Sequence, residues 1–135
     1  KLSDGLKDGT IDAITSDHNP YEIETKKIEF DNAAFGIIGL ESLFGLIIKN
    51  LEKHLDLHQI IEKISANPRN ILGIQNHSIE EGNIANITLF NPKIEWDFTE
   101  KNIISKSKNS PFIGEKLKGK ALAIYNNNKF LELTS

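Results

Sequence analysis

Apolar residues recur at Leu40, Leu43, Phe44, Ile47, Ile48 and Leu51, the i, i+3, i+4, i+7 spacing of a helix with one face against a core. A second helix is predicted over about 56–66. Asp56 is its N-cap, Leu57, Ile60, Ile61 and Ile64 form its apolar face, and Asn67-Pro68 stops it ahead of a short turn over 69–73. After Gly73 the period shortens to two. Ile84, Ile87 and Leu89 predict a strand within Asn83–Phe90, closed by Asn91-Pro92. Ile94, Trp96 and Phe98 alternate with Glu95 and Asp97 as a half-buried strand. Leu122–Tyr125 and Lys129–Leu133 flank Asn126-Asn127-Asn128, which reads as a hairpin by pattern and turn chemistry.

The front of the chain is more polar. Residues 1–10 hold the turn signal Asp8-Gly9, and 11–15 read as a short strand running into Ser16-Asp17-His18-Asn19-Pro20. Pro20 cannot continue a central strand, and it pushes Asn19 away from the helical region. A polar cluster therefore sits at the C-terminal end of a strand. Residues 21–34 form a charged connection, a length that in compact domains is functional or mobile. Residues 99–116 are loop-like. The order is strand, long loop, two helices, then antiparallel strands, an α/β arrangement.

Composition changes this picture little. The 135 residues suit one domain or a piece of a larger one, and they suffice for a core. A net charge of −3 gives no electrostatic footprint for nucleic acid. No apolar run approaches the roughly 18 residues that span a bilayer, and no basic amphipathic run suggests a membrane surface. The chain has no cysteine, which removes disulfides and thiolate metal sites. A reducing, cytoplasmic setting is expected. The chain also has no methionine and opens mid-phrase on Lys1-Leu2-Ser3-Asp4, so it reads as part of a longer protein.

The first place to look for chemistry is Asp17-His18. In barrel enzymes the catalytic residues stand at the C-terminal ends of strands, and a carboxylate there can bind a metal and carry a proton. The other reading has Asp17 capping a turn and His18 at the surface. His54 and His58 share a helix face by spacing. No Glu stands where a zinc-protease helix carries its base, and both are expected in solvent. His77 sits in a polar turn, the charges between Glu22 and Asp31 suit a solvated loop, and Trp96 suits a core.

Over nearly its whole length the chain resembles the dihydroorotases. The phrases that carry this are Asp8-Gly9-Thr10-Ile11-Asp12 running into Ser16-Asp17-His18-Asn19-Pro20, Glu29-Phe30 through Ala34-Phe35-Gly36-Ile37-Ile38-Gly39-Leu40-Glu41-Ser42, Asn67-Pro68-Arg69-Asn70-Ile71-Leu72-Gly73, Gly82 to Phe90, Ser105 to Gly114, and Leu117-Lys118-Gly119-Lys120. Each is weak alone, and their order and spacing make them strong together. One departure is Asn86, where the family usually has Asp.

The resemblance implies the C-terminal fragment of a metal-dependent (β/α)8 barrel hydrolase with part of a small β-sandwich. Residues 1–73 would carry the last barrel strand, substrate loop and helices, and 74–135 the sandwich strands and a barrel-packing tail. It implies reversible cyclisation of N-carbamoyl-L-aspartate to L-dihydroorotate in pyrimidine biosynthesis, on a binuclear zinc centre. Asp17 would be catalytic base and metal ligand, and Tyr21, Phe35 and Gly36 would touch the small-molecule substrate. The remaining ligands would lie upstream, so the fragment alone is expected to be inactive. A homodimer is implied, with aspartate transcarbamoylase a further partner. Four residues after the aspartate the family usually has histidine; here it is Tyr21, which donates one hydrogen bond but carries no positive charge near neutral pH. That keeps open a non-catalytic, dihydroorotase-like scaffold. Another cyclic amidohydrolase, such as a dihydropyrimidinase or allantoinase, is disfavoured by the tail phrase around Asn109-Ser110-Pro111-Phe112. A barrel strand without neighbours has unpaired edges, so self-association, disorder around 1–34 or a companion segment is expected.

Overall fold

The computed structural model describes residues 1–76 and 78–133; His77, assigned to a polar turn, lies outside them. Helix α2, Leu43–Leu51, forms where the apolar repeat predicts it and buries Ile47 and Ile48. Asp56 caps α3, Leu57–Ile61, through a reciprocal capping box with Gln59. Asn67-Pro68 does not stop the helix. A π-helical turn, Glu62–Ala66, leads directly into α4, Asn67–Ile71, with Pro68 in its first turn. Asn67 N–H bonds back to Glu62 O, whereas Pro68 has no N–H to donate, and Lys63 O, five residues before it, accepts from Ile14 N–H at 2.9 Å instead. Residues 2–8 form α1, Leu2–Asp8, ended by Gly9; its one buried side chain, Leu6, is too sparse a signal for periodicity to find.

Residues 11–15 differ from expectation. They join no ladder, and the one bridge nearby pairs His18 with Ile37 in parallel. Their backbone polar groups use the π-helical turn and α4 instead. Lys63 Nζ donates to Ile11 O at 2.6 Å, Ile14 N–H donates to Lys63 O at 2.9 Å, and Asn67 Nδ2 donates to Asp12 O at 2.9 Å. Buried backbone groups need partners, and side chains supply them where no strand lies alongside.

The two strands expected around Pro92 are one, β1, Ile87–Asp97. It pairs antiparallel with β2, Lys116–Asn126, with register breaks at Leu89/Phe90 and Asn91/Glu95. Pro92 falls within the second break, where its missing N–H costs no ladder bond. The hairpin to β3, Lys129–Glu132, turns at Asn127 and Asn128, both with positive φ (49° and 57°), as a type I′ turn requires. The sheet order is β1-β2-β3.

Helix α2 lies against β2. A Cβ on Gly45 would come 3.0 Å from Leu117 Cβ, and one on Gly119 would come 2.9 Å from Ile48 Cγ1. This close approach lets α2 feed two cores. One joins Leu6, Ile47, Ile48, Leu55 and Ile60. The other joins Ile38, Phe98, Ile103 and Leu117, with Trp96, Phe112 and Ile113 alongside. Trp96 is thus core, and its Nε1 donates to Gly119 O at 2.9 Å.

Candidate functional site

The second core anchors two loops that meet at one end of the fold. Asn19 N–H donates to Ile37 O at 2.8 Å, laying the 16–20 turn beside residues 36–40. A Cβ on Gly39 would come 2.8 Å from Ser16 O, and one on Gly36 only 2.6 Å from Asn19 Cβ. Both glycines are needed for the two segments to touch. Gly36 also has φ +98°, a conformation glycine adopts without strain.

Asp17 stands at the tip of the turn with φ 44° and is exposed. Aspartate tolerates this left-handed backbone better than most residues. Asn19 Nδ2 donates to its carbonyl at 2.9 Å and to its Oδ1 at 3.2 Å. Its own N–H reaches Thr15 Oγ1 at 3.3 Å. The result is a carboxylate held by its neighbours yet open to solvent.

His18 is half-buried rather than a surface residue. Its Nδ1 accepts from the N–H groups of Gly39 and Leu40, at 3.1 and 3.2 Å. Two donors on Nδ1 assign the proton to Nε2, which faces Ser105 Oγ at 3.3 Å. Ser105 Oγ and N–H in turn donate to Glu41 Oε1 at 2.6 and 2.8 Å. Burial works against the ionised form of Glu41. It is outweighed by the Ser105 hydrogen bonds, the residue's own N–H and the nearby His18, so the carboxyl sits below its ordinary value. Glu41 Oε2 is enclosed with no partner among the described residues.

The segment after Ile103 is the clamp that binds these loops. Alternate residues point inward. Ser105 holds His18 and Glu41, Ser107 Oγ donates to Tyr21 O at 2.6 Å, and Asn109 Nδ2 reaches Asn19 O and Gly36 O at 3.3 and 3.4 Å. Ile104, Lys106 and Lys108 between them are exposed. The tail phrase Ser105 to Gly114 carries the family resemblance, but the resemblance gives Ser105, Ser107 and Asn109 no individual role. The period of two, Ser-x-Ser-x-Asn, was the signal available.

Tyr21 lies at the rim of this assembly, 38% exposed, with Lys26 Nζ 5.4 Å from its ring centre. Lys26 also donates to Ala34 O and Gly36 O, closing the charged 21–34 connection on itself. The structure therefore brings Asp17, Tyr21 and Gly36 to one rim through Asn19, Ser107 and Asn109. Phe35 is 84% exposed. A cleft of about 710 Å³ opens beside Tyr21, lined by Pro20, Lys106, Ser107, Lys108 and Asn109 among others; Asp17 is not in its wall.

Among the described residues no three His, Cys, Asp or Glu side chains converge on a metal-binding position. Both ring nitrogens of His18 are engaged, whereas the Asp17 carboxylate keeps an open face at this rim. His54 and His58 are exposed on another face, where His58 pairs with Glu62 at 3.5 Å.

The amidohydrolase family profile matches residues 1–121. The chain is 48% identical to the dihydroorotase of Chlorobaculum tepidum over 132 residues, 96% of this chain and 30% of that protein. It is 47% identical to the dihydroorotase of Clostridioides difficile over 122 residues, 89% of this chain and 28% of that protein. It thus spans less than a third of the length of these curated relatives. Among solved structures, the L-hydantoinase (dihydropyrimidinase) of Arthrobacter aurescens superposes with a TM-score of 0.85 at 23% identity, covering 97% of this chain and 31% of the hydantoinase. At that identity the likeness speaks to the fold alone.

Proposed function

This chain belongs to the amidohydrolase family, and from that premise we propose that it is the C-terminal part of a zinc-dependent dihydroorotase. The reaction is reversible ring closure of N-carbamoyl-L-aspartate to L-dihydroorotate with release of water. In this reading, residues 1–73 carry the last strand of a (β/α)8 barrel, its substrate loop and helices. Residues 74–135 contribute strands to a small β-sandwich and the tail that clamps the site. A cytoplasmic homodimer, with aspartate transcarbamoylase as a further partner, completes the proposal.

The observation that carries it is the state of Asp17: an exposed carboxylate on a left-handed turn, pinned by neighbours that leave its outer face open. Asp17 would be one zinc ligand, with the others on polypeptide outside these residues. The zinc, when bound, supplies an activated water at neutral pH and polarises the ring carbonyl. Asp17 takes the proton of the attacking water and returns it to the ring nitrogen as the C–N bond breaks. A carboxylate suits this role because one group can serve both as a metal ligand and as a proton acceptor. Tyr21 offers the substrate carboxylate a phenol hydrogen bond. Gly36 and Phe35 line its ring, the latter from a side chain that now stands in solvent.

Tyr21 also favours a second reading, a non-catalytic scaffold of the same fold, because a phenol lacks the charge of the histidine usual at this place. Dihydroorotate hydrolysis by the full-length protein carrying this chain separates the two. We expect activity that Asp17→Asn abolishes, and Tyr21→His that alters KM more than kcat. An inactive parent that Tyr21→His activates supports the scaffold, and an Asp17→Asn variant at full rate rejects the catalytic assignment.

A further inference from the structure

We propose that His18 is a positioning residue for Asp17, holding the turn from behind through a chain that runs to Ser105 and Glu41. The inference rests on the reading of Asp17 as the catalytic carboxylate. It begins with a conflict in the backbone. Asp17 occupies a positive-φ conformation, which aspartate tolerates at some cost and which contacts around the turn help to hold. Asn19 supplies contacts on the chain's own side of the turn. The Asn19 backbone ties the turn to Ile37 and Asn109, and His18 supplies the side-chain contacts that tie it to residues 39–41 and Ser105.

Two distant stretches of sequence meet on that one ring. The Gly39 and Leu40 amides donate to Nδ1, and Ser105 stands at Nε2. Ser105 is fixed in turn by two bonds to one oxygen of Glu41, only one residue beyond Leu40. The loop that bonds one edge of the ring thus also carries the carboxylate that orients the other edge. This closed circuit leaves His18 one rotamer and one tautomer. The Nε2–H donates to Ser105, whose hydroxyl donates to Glu41. Asp17, the residue before, is exposed and makes none of these contacts. The division is functional in form: one residue is spent on rigidity so that its neighbour can face the reacting atoms. Groups that orient a metal-binding or catalytic side chain in this way typically matter 10- to 100-fold, that is about 10–100-fold in activity.

The test uses the full-length zinc-loaded protein and a set of His18 variants that replace one ring nitrogen at a time. Asn places an acceptor near Nδ1; Gln reaches the Nε2 position and leaves the two amides unmet; Ala removes both. We expect His18→Ala to lower kcat about 10–100-fold with KM little changed. We expect His18→Asn to recover most of that loss and His18→Gln less, at similar thermal midpoints. Amide hydrogen exchange at Gly39 and Leu40 should quicken in His18→Ala and His18→Gln but not in His18→Asn. Wild-type kcat in His18→Ala overturns the proposal, as does a kcat that merely tracks the thermal midpoint across the set. Should His18→Ala not fold, the order of Asn and Gln decides, and equal rates in the two overturn it. Asp17→Asn provides the reference arm. If that variant is inactive while His18→Ala keeps full rate, the positioning role alone fails. If Asp17→Asn keeps full rate, the catalytic reading fails and the positioning role with it.

Discussion

Replacing Gly36 by alanine perturbs the site through a single methyl group, and the outcome can be worked from the coordinates. Gly36 and Gly114 have similar φ, +98° and +90°. They differ in the space around them. A Cβ at 114 meets nothing within 4 Å, while one at 36 falls 2.6 Å from Asn19 Cβ and 3.1 Å from its Cγ. Gly114→Ala therefore measures the backbone term alone, about 1–3 kcal/mol. Gly36→Ala adds displacement of Asn19, whose amide holds Asp17 O and Oδ1. Two such bonds contribute roughly 0.5–1.5 kcal/mol each, so Gly36→Ala should cost about 2–6 kcal/mol in all. The same displacement moves Asp17. A shift near 1 Å at a reacting group can cost about 100-fold in rate, so a kcat loss of about 10–100-fold is expected for Gly36→Ala and none for Gly114→Ala. Urea unfolding of the full-length protein gives the stabilities, and dihydroorotate hydrolysis the rates. A double-variant cycle with Asn19→Gly isolates the clash. Removing the Asn19 side chain should recover about 1–2 kcal/mol of the Gly36→Ala loss as a coupling energy. Equal stability losses at 36 and 114, or additivity in the cycle, would refute the argument that these two loops are in steric contact.

Asn109→Ala removes the amide that bridges Asn19 O and Gly36 O; at these long distances a loss of about 1–2 kcal/mol is expected by urea unfolding, with kcat falling alongside it. Lys26→Met leaves the Ala34 carbonyl without that donor and the Gly36 carbonyl with only the long Asn109 bond, so limited proteolysis should cut within 27–34 faster while α2 stays resistant. Glu41 has a folded-state pKa depressed below its ordinary 4.5, so its contribution to stability is fully present above that value and fades as pH falls through the lower one. The stability gap between wild type and Glu41→Gln, read from urea midpoints at several pH values, should accordingly be constant near neutrality and narrow on acidification below about pH 4.5.

The sequence alone determined those features whose physics is local. The α2 repeat, the Asp56 cap and the Asn127-Asn128 turn each depend on residues within a few positions of one another, and each forms as read. The place of Asp17, ahead of a proline that ends the extended stretch, was legible for the same reason. The tertiary structure decided what depended on distant partners. Residues 11–15 carry a strand's alternation yet bond to Lys63 and Asn67, because pairing needs a neighbour that the pattern of one segment cannot supply. Asn67-Pro68 reads as a stop by local rules, but packing carries the helix through a π-helical turn. The assembly of His18, Glu41, Ser105, Ser107 and Asn109 spans more than 80 residues of chain. No spacing rule connects those positions. A hydrogen bond is set by distance in space, and only the folded backbone brings the donors to their acceptors.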